Sequence, residues 1–141
     1  MYEDKKKAAA QEVIDNKEKY SKHYNEDSFF NKIKEYGKAA GTKVIFAALL
    51  LYYAMKSDKM PVADKAIVIA SLGYFILPID LIPDFIPIAG YADDLTVLYV
   101  ALKKAVAYID GDVISQAKDK INGWFGAVDE NDIQNVLNFL L

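Results

Sequence analysis

Residues Leu77 to Asp94 read LPIDLIPDFIPIAGYADD, and they hold the side chains of this chain best placed to do chemistry. Four carboxylates, Asp80, Asp84, Asp93 and Asp94, stand among Ile, Leu, Phe and Tyr, with Pro78, Pro83 and Pro87 between them. From Lys65 to Lys103 no other Lys, Arg or His occurs, so no counter-charge is near in sequence. Burying an unpaired carboxylate costs several kcal/mol. Each aspartate must therefore find donors, a cation or water, or take up a proton.

Three uses of these acids follow. As scaffold, Asp80 and Asp84 accept backbone N–H bonds at the starts of short turns, while Asp93 and Asp94 sit in the first turn of a helix, where the helix dipole favours negative charge. Prolines remove donors and disfavour helix at the preceding residue, so the remaining N–H groups of an irregular 77–90 segment need acceptors, which Asp supplies. As a metal site, the four carboxylates with free backbone carbonyls suit a hard divalent cation, Mg²⁺ or Ca²⁺. No EF-hand spacing is present, since the Asp110-Gly111-Asp112 run lacks the ligands that should follow. As an acid–base pair they would need a nucleophile or a substrate-binding cation, and neither is evident nearby. The reading adopted is non-enzymatic, with cation binding or metal-dependent catalysis as the alternative.

Composition narrows the field. The chain has 141 residues, 53% hydrophobic and 26% charged, enough for one domain with a real core. Net charge is −3, which gives no bulk attraction to nucleic acid. Every cation is Lys; the absence of Arg removes the residue best suited to bidentate phosphate recognition. There is no Cys, and His23 stands alone in the polar run SKHYNED. Disulfides, thiolate chemistry, His-based zinc and a Ser-His-Asp triad are thereby set aside. No nucleotide-binding motif occurs. The start, MYEDKKKAAAQEVIDNKEKY, has no apolar h-region and is not read as a secretory leader, so a cytoplasmic place, or a peripheral or integral one at the cytoplasmic membrane, is expected.

The elements that must hold the aspartates read as helices throughout, an all-α bundle of five or six. Residues 3–24 form a charged helix or arm with a weak stripe of Val13, Ile14, Tyr20 and Tyr24. A second helix, capped by Asp27 or Ser28, runs to about Met55 and is apolar all round from Val44. Within it, Gly37 and Gly41 form a small-xxx-small pattern, expected to admit another helix closely. Pro61 opens a third helix, 62–76, also apolar on every side. Tyr91 to Tyr108 is the fourth, ended by Asp110-Gly111; Asp112 opens the fifth, with Trp124 and Phe125 over the centre; Asp129 opens the last. The second, third and fourth helices are expected to form the centre. This divides the chain into an arm (1–26), a helical core (27–110) and two covering amphipathic helices (111–141).

The motif Pro78-Ile79-Asp80-Leu81-Ile82-Pro83-Asp84-Phe85-Ile86-Pro87, with Pro61, Gly73-Tyr74, Gly90-Tyr91 and Asp93-Asp94, resembles the YkvA-like DUF1232 family, a bacterial domain of unknown function, over about residues 52–109. The resemblance implies a helical fold and the membrane association predicted for many members; it implies no activity. A spanning helix needs ~20 apolar residues. The runs 44–55, 66–79 and 95–102 supply twelve, fourteen and eight. None passes alone. The expected function is a helical scaffold or interaction domain with a protein partner or a membrane surface.

Overall fold

The computed structural model describes residues 11–76, 91–126 and 129–140, with only the backbone for 36–40 and 91–96. The proline-rich segment 77–90 lies outside the described residues. Every regular element among the described residues is helical. A helical stretch at 11–15 kinks at Asn16 into α1, Lys17–Ser21. There follow α2, Glu26–Ala40; α3, Thr42–Met55; α4, Val62–Ile76; and α5, Tyr91–Ala105, which tightens into a 3₁₀ turn at Val106–Tyr108. Last come α6, Gly111–Phe125, and α7, Glu130–Leu140.

Three boundaries depart from the sequence reading, each for a local reason. The second helix is two helices, because Gly41 has φ 88° and ψ 164°. That backbone region is essentially closed to residues with a Cβ. A Cβ placed on Gly41 would meet nothing within 4 Å, so its role is conformational and the expected close helix contact there is absent. The cap of α2 is Asn25 rather than Asp27 or Ser28: its Oδ1 accepts from the Ser28 N–H at 2.7 Å. Asp110 does not simply end the preceding helix. Its Oδ1 accepts from the Val113 N–H at 3.0 Å and caps α6, so that helix opens at Gly111 rather than Asp112. The count therefore exceeds five or six. Asp129 does cap α7, its Oδ1 accepting from the N–H groups of Asn131 and Asp132 at 3.0 and 3.3 Å.

The core is organised around α3. Every residue from Val44 to Tyr52 is buried, as is Ala54. An α-helix that is apolar on all sides can be covered only from all sides, and α3 packs against α2, α4, α5, α6 and α7. α2 contributes Phe29 and Ile33, α5 Leu98, Ala101, Leu102 and Ala105, α6 Val113, Ala117 and Ile121, and α7 Ile133, Val136 and Leu140. The other all-round apolar helix, α4, is less central. Val62 at its start is 83% exposed, and only from Val68 onward does the helix sink into the protein. Its buried Ser71 hydroxyl donates to the Ile67 carbonyl one turn back at 2.9 Å.

A second, smaller core is separate. Val13 and Tyr20 of the N-terminal arm meet Ala70, Tyr74 and Val97 of α4 and α5. The contact is closest at Gly73, where a Cβ would lie 1.9 Å from the Tyr20 carbonyl oxygen. Here, not at Gly41, a missing side chain lets backbone approach backbone.

The backbone conformation at Gly41 can be tested by substitution. Gly41→Ala and Gly41→Asn should each lower stability by about 1–3 kcal/mol, since Asn tolerates the left-handed helical region but not ψ near that of Gly41. Thermal melts of both variants check this; an unchanged midpoint for Ala, or rescue by Asn, contradicts the backbone explanation.

Candidate functional site

The four aspartates marked by the sequence are only partly located. Asp80 and Asp84 lie outside the described residues. Asp93 and Asp94 fall in the first turn of α5, as expected, with backbone alone described. The capping and the cation readings therefore both rest on side chains outside the described set. Among the described residues no three His, Cys, Asp or Glu side chains stand together as a metal site.

The described residues instead bring together an aromatic seam where α2, α3 and α6 meet. The Phe30 ring of α2 lies 5.1 Å from Trp124 of α6 and 5.2 Å from Tyr52 of α3, both edge-to-face. Tyr52 stacks on Phe29 at 5.4 Å and meets Tyr53 at 5.0 Å. Such pairs are each worth ~0.5–1.5 kcal/mol beyond burial, so the seam fixes the angle at which α6 crosses α2 and α3. Lysines overlie it. Lys34 and Lys120 each reach 5.3 Å from the Trp124 ring centre, Lys120 also 5.3 Å from Phe30, and Lys56 sits 4.7 Å over Tyr52. Cation–π contacts at such wet positions contribute ~0.5–1 kcal/mol each.

Acid balances part of this charge. The Tyr52 hydroxyl donates to the Glu26 carboxylate, and the Lys56 ammonium stands 3.5 Å from the same oxygen. The Tyr52 hydrogen bond, then Lys56, hold the Glu26 carboxyl below its ordinary value. Burial, then the same bond, pushes the Tyr52 phenol up. Both shifts describe one arrangement: the proton stays on Tyr52 and the charge on Glu26. Burial also raises Tyr53, and it pushes Tyr24 up to about 12.

Beside the seam the surface opens into two clefts. One, of 410 Å³, is lined by Tyr53, Gln116, Asp119, Lys120, Gly123 and Trp124. The other, of 300 Å³, continues past Tyr53 and Gln116 to Lys56, Ser57, Asp110, Asp112 and Val113. Together they form a groove between the C-terminal end of α3 and the outer face of α6. The sequence marked Trp124 and Phe125 as anchors, and both are half-buried against the core. It did not mark the groove, whose walls come from two helices, α3 and α6, far apart in sequence. A local trace existed: Tyr52 with Lys56, and Lys120 with Trp124, are i, i+4 pairs on one helix face.

The tyrosine shifts set a pH dependence. Tyr20, Tyr24, Tyr52, Tyr53 and Tyr99 all have folded-state values raised, with burial the largest cause in each. A raised value means stability fully present below the unfolded value of about 10 and lost as pH climbs through the folded one. Glu26, with a lowered value, acts oppositely: its contribution is present above the ordinary carboxylate range and lost as pH falls through its folded value. Denaturant midpoints should thus be level through neutral pH and fall above about pH 10, with Tyr24 ionising only near 12. Ultraviolet titration showing these phenols ionising at the free-tyrosine value in the folded protein contradicts the arrangement.

Comparison with known proteins adds one finding. Residues 64–100 match the model of a protein family of unknown function, DUF1232. The match is narrower than the 52–109 stretch suggested by the motif, and it takes in most of α4, the aspartate segment and most of α5. No curated protein and no solved structure matches the chain. The segment 64–100 is thus similar to the DUF1232 family, and the arm, α2, α3, α6 and α7 lie outside the match.

Proposed function

We propose that the protein is a non-enzymatic helical interaction domain, and that the groove between α3 and α6 receives a protein segment carrying acidic and aromatic or aliphatic side chains. The observation that carries this is Trp124, half-buried at the mouth of the groove with two lysine ammonium groups over its ring. An aromatic anchor beside cationic donors has the make-up of a binding hot spot. The charge around it is mixed: Lys34, Lys56 and Lys120 stand with Glu26, Asp112 and Asp119. Mixed charge suits a protein segment better than a uniformly anionic lipid surface, where the acids would be repelled. Among the described residues no helix is long and apolar enough to cross a membrane. Directions of titration also favour binding over catalysis. Acid–base catalysis needs groups moved toward the working pH, whereas the shifted tyrosines and Glu26 move away from it.

Selection of peptides from a random library tests the reading. Wild type should enrich sequences with acids flanking an aromatic or aliphatic residue, and Trp124→Ala or Lys120→Glu should weaken their binding at least about tenfold, the loss of ~1.4 kcal/mol or more expected for a hot spot. Peptides that bind both variants as well as wild type overturn it. So does a wild type that selects nothing yet binds vesicles of 30% anionic lipid through Trp124.

The alternative keeps its own signature, and the fact in its favour is that Asp80, Asp84, Asp93 and Asp94 all lie within the family-matched segment. A hard-cation site there would raise the melting temperature in millimolar Mg²⁺ or Ca²⁺, a gain lost in Asp80→Asn.

A further inference from the structure

The N-terminal arm is attached differently from the rest of the chain. None of its residues from 11 to 21 belongs to the main core. Its buried side chains, Val13 and Tyr20, enter only the small second core. The partners there, Ala70, Tyr74 and Val97, all fall inside the family-matched segment, whereas the arm falls outside it. The division comes just after α1: Tyr24 packs on the main core and lies 6.2 Å from Phe29, so residues 22–23 join two separately anchored pieces. The arm is also short of internal support. It kinks at Asn16, whose side chain turns back to the Glu12 carbonyl and carboxylate at 3.0 and 2.7 Å, and α1 begins with no side-chain cap. A helix as short as α1, five residues, does not persist without docking.

What the arm docks on is shaped for it. Gly73 admits the Tyr20 carbonyl, the Tyr20 and Tyr74 rings meet edge-to-face at 5.7 Å, and the Tyr20 hydroxyl is turned to Glu12 of its own arm at 2.7 Å. We infer that the stripe of Ala70, Gly73, Tyr74 and Val97 is a helix-docking surface of the DUF1232 segment, that residues 11–21 are its resident occupant, and that the same arm of a second copy can take its place. The occupant is identified by fit: the sequence seated there supplies a tyrosine backbone carbonyl at the one point where α4 has no side chain, and a second copy supplies the same. Occupation in cis lowers the apparent affinity for an arm offered in trans by the fraction of time the stripe stands open. Weakening the cis arm therefore strengthens trans binding, while blocking Gly73 abolishes both.

A fluorescent peptide of residues 11–24, added to the full-length protein, tests this. The peptide should bind the Tyr20→Ala protein at least about tenfold more tightly than wild type, and should not bind Gly73→Val. Hydrogen exchange should show residues 11–21 unprotected in Gly73→Ala while 44–54 stays protected. If Tyr20→Ala does not fold, Val13→Ala carries the same comparison. Equal binding to all proteins, no gain in the weakened-arm variant, or an arm that stays protected in Gly73→Ala overturns the inference.

Discussion

A helix with no polar face constrains everything else in this protein. From Val44 to Tyr52 each residue of α3 is removed from water, and each large side chain there contributes ~1.5–3 kcal/mol on burial. That gain is available only if apolar surface meets α3 from every direction. The remaining helices supply it with one-sided stripes: Phe29 and Ile33 from α2, Leu98 and Leu102 from α5, Val113 and Ile121 from α6, Val136 from α7. The break at Gly41 serves the same end. An uninterrupted helix from 26 to 55 could not fold α2 back along α3.

Around this centre the surface is divided by chemistry. On one side the aromatic seam of Phe30, Tyr52 and Trp124 locks α6 in place and leaves lysines above it. On another, the arm closes over Gly73 and Tyr74 with a core of its own. The first is a surface built by elements outside the DUF1232 segment; the second covers that segment directly. The groove and the docked arm thus lie on separate elements of one chain.

How much of this could be read from residues alone follows from the range of the interactions. All-helical architecture, the central place of 44–55, and the lid role of Val113, Ile121 and Val136 were legible, because they depend on 3.6-residue periodicity. Helix ends were legible only where one residue dominates, as at Asp129; at Asn25 and Asp110 neighbouring residues of equal capping power left the choice open. Gly41 was read as a packing glycine and proved a hinge, and Gly73 is the packing glycine, because a glycine's role depends on what stands opposite it. The groove escaped because Tyr53, Gln116 and Trp124 come together only after α3 and α6 have packed. The aspartates at 80, 84, 93 and 94 remain the strongest chemical signal in the sequence, and the family match from 64 to 100 contains all four.

The central claim is that α6 and α7 are the cover without which α3 cannot remain in water. Ending the chain at Gly111 removes both while leaving α2 to α5 intact in sequence. Light scattering and a thermal melt of that shortened protein test the claim most directly. It should aggregate or require detergent, because the face of α3 that α6 and α7 cover would become an exposed apolar patch. A shortened protein that stays monomeric in plain buffer and melts where the full-length chain does would contradict the account.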